Sequence, residues 1–137
     1  MKSFVIIFGL LITAFFTNAQ GSWKISLNKI TVLTGNESNE LLNTKKIKSA
    51  DWKKNGYLEI SYKETTPSNW LHSLQFTDET GNPLLVKDSA MAAKIPISAL
   101  RKLFAGKKQV KIYMVIDPPD GMMAPSRMLH LGTLRLP

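Results

Sequence analysis

The 137-residue sequence contains no cysteine. Disulfide bonds, thiolate catalysis and cysteine-bound metals are therefore excluded, and so is a lipid anchor attached to cysteine. Only two histidines occur, His72 and His130, and no HExxH or His-x-His pattern is present, so we expect no metal site. No Gly-x-Ser-x-Gly pattern supplies an exposed nucleophile. These absences favour a protein that is not an enzyme and carries no cofactor.

Acidic residues are also few, and the best alternative metal site uses three of them. Asp117 and Asp120 lie in one loop and could join Glu64 around a calcium ion. A calcium loop normally supplies more oxygen ligands than these, so we interpret both aspartates as residues that stabilise turns.

The sequence also lacks a run of about 20 apolar residues, the length that a membrane-spanning helix needs. Its most apolar stretch, Phe4 to Phe16, follows a positively charged start and precedes the small-residue segment Thr17-Asn18-Ala19. This pattern is typical of a secretory signal peptide cleaved after Ala19 or Gln20. We predict a signal peptide at residues 1–20, one domain at residues 21–137, no membrane span after cleavage, and a periplasmic or secreted location.

The charge is strongly basic, with 18 Lys and Arg against 10 Asp and Glu, a formal net charge of +8. Loss of Lys2 with the signal peptide leaves 17 basic residues, so the mature domain carries about +7. In a cytosolic protein this balance would indicate nucleic acid. For an exported protein we expect anionic envelope polymers or lipid headgroups instead, and no nucleic acid. The alternative is a basic surface that only keeps the protein soluble.

Alternating apolar and polar residues predict a domain made of strands. The longest alternating segment starts at Gln109, and a loop from Asp117 to Arg127 separates it from a last strand at Met128 to Leu136. The inner faces of the strands predict one shared core, formed by Trp70, Leu74, Phe76, Ile95, Ile97, Ile112 and Met114. His72 lies in the same phase as Trp70, which favours a half-buried, hydrogen-bonded residue.

The first and last strands have the same irregular spacing of apolar residues. In the first strand the phase changes at Asn28-Lys29, and in the last it changes at Gly132-Thr133. Each change predicts a β-bulge or a strand that switches sheets. The shared pattern predicts that the two strands lie side by side, and a positive φ at Gly132 would make that glycine necessary.

The fold class that these patterns predict is all-β, an antiparallel sandwich of about seven strands with one short helical turn. Ser98 to Phe104 has the apolar spacing of that turn, and Asp51 to Gly56 is a second short candidate. Lys45 to Ser49 predicts a short edge strand protected by lysines.

The order of these segments resembles immunoglobulin and fibronectin type III-like sandwiches from Trp23 to Leu136. Leu103-Phe104-Ala105-Gly106, entering Val110 to Tyr113, is similar to their link between the fifth and sixth strands. The sequence departs from the family because it has no cysteine pair and because Tyr113 lies in the outward phase. The Ala19-Gln20 ending resembles signal peptides of Bacteroidota secreted proteins. The resemblance implies a fold and no particular function.

Two regions are candidate binding surfaces. One is the outer face that carries Lys111 and Tyr113, for which the alternative is an ordinary solvated sheet face. The other is the loop from Asp117 to Arg127, which is stiffened by prolines and has two methionines at its centre. Its predicted contact residues are Pro119, Met122, Met123 and Arg127, with Pro67 brought to the same end. The alternative is that the methionine pair folds back over the core as a lid.

The sequence leaves two functions open. The first is an exported, non-catalytic module that binds an envelope polysaccharide or a protein partner. The second is an inhibitor or chaperone-like subunit that acts on a secreted enzyme or surface protein. In either case we expect a monomer.

Overall fold

The structure of the protein is a computed structural model that describes residues 21–37, 43–65 and 68–137. The predicted signal peptide and Pro67 lie outside the described residues. Within them the chain forms nine strands and two short helices, which are β1 Gly21–Leu27, β2 Ile30–Asn36, β3 Thr44–Lys46, α1 Ser49–Lys53, β4 Tyr57–Glu64, β5 Leu71–Thr77, β6 Pro83–Lys87, β7 Ala92–Pro96, α2 Ile97–Leu103, β8 Gln109–Asp117 and β9 Arg127–Arg135.

The strands form two sheets, one of four strands in the order β2-β1-β4-β7 and one of five in the order β3-β9-β8-β5-β6. All pairs are antiparallel except β3 with β9, which is parallel. The protein is therefore mostly β, as predicted, with more strands than the expected seven and two helices where one was expected. No helix in the described part of the chain is long and apolar enough to cross a membrane.

The inner faces of both sheets bury a single core, because apolar residues alternate with polar ones along each strand. The prediction for Leu74, Phe76, Ile95, Ile97, Ile112 and Met114 is confirmed, since all six are buried in that core. Trp70 differs, because it precedes β5 and is only half-buried against the edge of the core. Tyr113 lies in the outward phase of β8, as predicted.

The first predicted strand is a β-hairpin, so the prediction of one bent or bulged strand is wrong. Asn28 and Lys29 have φ of 53° and 68° and form a two-residue turn between β1 and β2. Positive φ at both central positions is the geometry of the tight turns that match strand twist. The phase change therefore marks a reversal of the chain.

The irregularity predicted near Gly132 is present, as a bulge in β9. Ile112 pairs with Gly132 and Tyr113 pairs with His130, which leaves Leu131 as the extra residue. The Leu131 carbonyl accepts hydrogen bonds from Trp23 Nε1 at 2.8 Å and from Asn43 Nδ2 at 3.2 Å. The bulge thus turns a backbone acceptor toward side chains that would otherwise be buried without a partner.

The prediction that the first and last strands are neighbours is wrong, because β1 and β9 belong to different sheets. Gly132 is not among the residues with positive φ, so that reason for a glycine is also wrong. A Cβ at this position would lie 2.7 Å from Leu33 Cδ1 and 3.1 Å from Ile25 Cδ1. The glycine is needed because the opposite sheet packs directly against it.

Candidate binding site at the loop end

Six strand termini meet at one end of the molecule, which we call the loop end. The strand registers place Gly21 beside Glu64, Leu71 beside Asp117, and Ile116 beside Arg127. The loop between β8 and β9 therefore lies at the same end as the connection from β4 to β5, as predicted. Residues from both sheets can meet here although they are far apart in sequence.

A cleft of about 240 Å³ opens at the loop end between the two sheets. We call it the end cleft; it is lined by Gly21, Tyr62, Glu64, Ser68, Trp70, Ile116 and Arg127. Its lining combines two aromatic rings, one carboxylate and one guanidinium group. Such a mixture of apolar surface and a few polar groups is typical of a binding cleft.

Glu64 is the polar centre of the end cleft. Its Oε1 lies 2.5 Å from Nε2 of the buried His72, and Ser68 donates its backbone N–H to Oε2 at 3.1 Å. The Ser68 hydroxyl also lies 3.2 Å from Glu64 Oε2. His72 is thus a hydrogen-bonded sheet residue, as predicted, and it is more deeply buried than expected.

The arrangement of these three groups is not that of a nucleophile with its base. In a Ser-His-Asp triad the imidazole lies between the hydroxyl and the carboxylate. Here the Glu64 carboxylate lies between Ser68 and His72 and binds both. The carboxylate therefore fixes the positions of the two side chains, which is a structural and recognition role.

Arg127 and Glu37 form an ion pair that joins β9 to the end of β2. The guanidinium nitrogen lies 2.5 Å from Glu37 Oε1, and Glu37 Oε2 accepts the backbone N–H of Gly21 at 3.2 Å. The Arg127 side chain is half exposed, whereas the Glu37 side chain is mostly buried. Arg127 therefore has a fixed position at the rim of the end cleft, with part of its guanidinium open to a ligand.

Tyr62 lies at the base of the end cleft. The pKa of its phenol is raised to about 12, mainly by burial and also by the nearby carboxylates Glu37 and Glu64, while the Arg127 charge acts in the opposite direction. The ring stacks on Trp23 with 6.3 Å between ring centroids. The phenol is therefore protonated at neutral pH and serves as a neutral packing residue.

The loop between β8 and β9 has its own fixed turn. Met122 donates its backbone N–H to the Pro119 carbonyl at 3.1 Å, and Gly121 between them has φ of +86°. This is the pattern of a type II turn, in which the third residue needs positive φ. At the base of the loop the Ser126 hydroxyl donates to Asp117 Oδ1 at 2.5 Å.

The turn directs the predicted methionines toward solvent. Met123 is 102% exposed and Met122 is 47% exposed. A lid over the core would bury these side chains, so the alternative reading of the pair as a lid does not fit their position. Two further apolar side chains are exposed nearby, Leu71 at the start of β5 and Met128 near the start of β9. We call these four residues, Leu71, Met122, Met123 and Met128, the methionine patch.

The structure separates the predicted site residues into two groups. Pro119, Met122, Met123 and Arg127 lie at the loop end. Lys111 and Tyr113 lie farther along the outer face of β8, where the Tyr113 ring contacts His130 at 5.4 Å between centroids. Because a strand rises roughly 3.3 Å per residue, Tyr113 is about 13 Å from the end of β8 at Asp117. We therefore take the loop end as the candidate site.

The calcium alternative does not match the geometry. Asp117 is bound by Ser126, and Glu64 is bound by Ser68 and His72. Among residues 21–37, 43–65 and 68–137, no group of three or more His, Asp or Glu side chains is placed to hold a metal ion.

Comparisons of the chain with protein-family models, with curated proteins and with solved structures give no match. The functional argument therefore rests on the residues and their geometry.

Sequence reasoning predicted Arg127 as a contact residue but missed the polar groups that surround it in the end cleft. Glu37 and Arg127 are 90 residues apart, and nothing in either local sequence indicates that they meet. Glu64 was considered only as a calcium ligand. Trp70 was assigned to the core because it continues the period of β5, although it lies just before the strand and lines the cleft.

Proposed function

We propose that this protein is an exported, non-catalytic β-sandwich module that binds a protein partner through the loop end. The observation that carries the proposal is the methionine patch, in which Met123 is fully exposed and three neighbours are about half exposed. Several exposed apolar side chains grouped at one end of a molecule are a candidate interaction site. Methionine is flexible and polarisable, which suits a contact that must fit a partner.

A protein fits this end better than a polysaccharide. Sugar rings usually stack on exposed aromatic faces, whereas the two aromatic rings of the end cleft are half-buried in Trp70 and buried in Tyr62. Protein interfaces instead have an apolar centre with a polar rim, and methionine and arginine are enriched in them. The methionine patch supplies the centre, and Arg127 beside Glu37 supplies the rim.

The sandwich is best interpreted as a variant of the immunoglobulin-like fold. In chain order, β1, β4, β5, β6, β7, β8 and β9 would correspond to strands A, B, C, C′, E, F and G. The observed sheet orders β1-β4-β7 and β6-β5-β8-β9 would then correspond to A-B-E and C′-C-F-G. In this interpretation β2 and β3 are additions between A and B, and strand D is absent. The methionine loop is then the F–G loop.

Export is part of the proposal and rests on the sequence of residues 1–20. A positively charged start, an apolar stretch and a small-residue cleavage segment are the three parts of a secretory signal. The absence of cysteine is compatible with a small exported domain that relies on its core for stability.

The experiment is a binding assay with Met122→Ser combined with Met123→Ser. The partner is first isolated from the envelope fraction of the native host and purified, and its affinity for the wild-type protein and the variant is then measured. If both side chains are buried at the interface, each contributes about 1.5–3 kcal/mol, so the affinity should fall by more than tenfold. The melting temperature should not change, because both side chains are exposed.

Ile30→Ser is the matched control, since Ile30 is 69% exposed and lies at the opposite end of the molecule. It should leave the affinity unchanged. Retained affinity in the methionine variant together with a lower melting temperature would contradict the proposal. It would support the alternative that the methionine pair packs over the core as a lid. If the partner is an enzyme, its activity with and without the module separates plain binding from inhibition.

A further inference from the structure

A second surface, unrelated to the methionine patch, lies on the outer face of the four-stranded sheet. The register aligns Lys24, Ser61 and Ala92 in one row across β1, β4 and β7, and Ser26, Glu59 and Lys94 in the next. Small side chains, Ser26, Ser61 and Ala92, lie among the longer ones on this face, and a hollow of about 460 Å³ forms there. An outer sheet face with such a floor is open to an extended ligand.

The hollow continues toward the turn between β1 and β2. A second depression of about 520 Å³ shares Glu59 with the first and is also lined by Asn28, Lys29, Lys54 and Tyr57. The two depressions meet at Glu59 and are treated as one surface, which extends from the middle of the sheet away from the loop end. We call it the basic groove.

The charged side chains that line the basic groove are mostly positive. Lys24, Lys29, Lys54 and Lys94 line it, against the single carboxylate of Glu59. Lys54 lies 3.6 Å from Asp51, whereas the other three lysines form no ion pair within the described part of the chain. The Lys94 ammonium lies 4.6 Å above the centre of the Tyr57 ring. Three ammonium groups are therefore available to an anionic ligand.

We infer that the basic groove binds an acidic polysaccharide. The lysines pair with carboxylates that repeat along the polymer, and the exposed hydroxyl of Ser61 in the floor faces its hydroxyl groups. Single-stranded nucleic acid fits less well, because its bases need several aromatic platforms and the groove offers only Tyr57. A membrane surface also fits less well, because the lysines border a hollow and a flat lipid surface would contact only its rim.

This inference is independent of the proposed function, because the groove and the methionine patch share no residue. The test measures binding of the purified protein to polygalacturonate, with dextran as the neutral polymer. Lys24→Gln combined with Lys94→Gln should weaken binding about tenfold or more, since two charge pairs are lost. Lys45→Gln combined with Lys46→Gln changes the net charge equally on the exposed edge strand β3 and should have little effect.

A variant that keeps the net charge unchanged distinguishes binding inside the basic groove from nonspecific electrostatic attraction to a basic surface. Ser61→Phe fills the floor at an exposed position, so it should weaken binding to polygalacturonate while the melting curve stays unchanged. Three results would overturn the inference. The first is that the wild type does not bind polygalacturonate at low ionic strength. The second is that the Lys24/Lys94 and Lys45/Lys46 double variants lose the same amount of affinity. The third is tighter binding to single-stranded DNA or to phosphatidylglycerol vesicles than to polygalacturonate.

Discussion

Asp78 is the residue that fixes the turn between β5 and β6. Its Oδ1 accepts the Thr80 hydroxyl at 2.7 Å and the backbone N–H groups of Thr80 and Asn82 at 2.9 and 3.0 Å. Its Oδ2 lies 3.2 Å from the Lys107 ammonium. These contacts, led by the Thr80 hydroxyl, hold the pKa of Asp78 well below its ordinary value of 3.8, against the opposing effect of burial.

The lowered pKa predicts how the stability depends on pH. A carboxyl group with a depressed folded-state pKa stabilises the protein above its unfolded-state pKa, and this contribution is lost as the pH falls through the folded-state pKa. Asp78→Asn should therefore lower the melting temperature at pH 7. The difference from the wild type should shrink below about pH 4, where the unfolded carboxyl becomes protonated.

Thermal unfolding followed by circular dichroism between pH 7 and pH 2 measures this difference. Asp88→Asn is the control, because Asp88 is exposed in a turn, and it should move the melting temperature little at any pH. A gap between the wild type and Asp78→Asn that stays constant down to pH 2 would show that the Asp78 charge is not the cause.

Single residues also show what the sequence can reveal. The buried positions of β8 could be predicted because strict alternation assigns every second residue to one face. The ion pair between Arg127 and Glu37 could not be predicted, because it depends on which strand ends meet at the loop end. The residues on the inner faces of strands can be predicted from the local sequence. The polar residues that meet in the end cleft can be predicted only when the pairing of the strands is known.

At the scale of elements, two similar sequence patterns gave two different structures. The phase change at Asn28-Lys29 is a hairpin turn, and the change near Gly132 is a bulge. Both shift the inward phase by one residue, so apolar spacing alone cannot distinguish them. The asparagine at the start of the turn was the available signal, because asparagine tolerates positive φ better than most residues.

The bulge in β9 predicts a large effect of Gly132→Val. The Cβ would lie 2.7 Å from Leu33 Cδ1, and the branched side chain would extend farther into the space between the sheets. Overpacking of this kind costs about 1–3 kcal/mol of unfolding free energy. Denaturant titration measures the loss, with Thr34→Val at an exposed position of β2 as the control. Equal stability of Gly132→Val and the wild type would mean that the sheets separate easily at this point.

At the scale of the whole molecule, the two proposed surfaces are well separated. The methionine patch lies at the loop end, where β8 ends and β9 begins. The basic groove lies on the other sheet and runs toward the opposite end, where Lys29 and Tyr57 are found. The two proposals together predict that the protein binds a polymer and a protein partner at the same time. The fold class could be predicted from strand patterns, but the pairing of strands that separates these surfaces could not.

Cleavage of the predicted signal peptide would change the chemistry of the loop end, because β1 begins at Gly21, directly after that segment. The Gly21 nitrogen lies 3.2 Å from Glu37 Oε2. Cleavage after Gln20 would turn this amide into a charged amino group and add it to the ion pair of Glu37 with Arg127. The mass of the protein purified from its native host should match a chain that starts at Gln20 or Gly21. An intact Met1 would contradict the prediction of export.

The same geometry predicts a coupling between cleavage and Glu37. In a chain that starts at Gly21, Glu37→Gln removes an ion pair with the amino terminus, whereas in the full chain it weakens only an amide hydrogen bond. Because one partner is exposed, the extra loss should be no more than about 1 kcal/mol of unfolding free energy. Denaturant titration of both chain lengths, each with and without Glu37→Gln, measures this difference. If the substitution costs both chains the same, Gly21 does not act as a charged partner of Glu37.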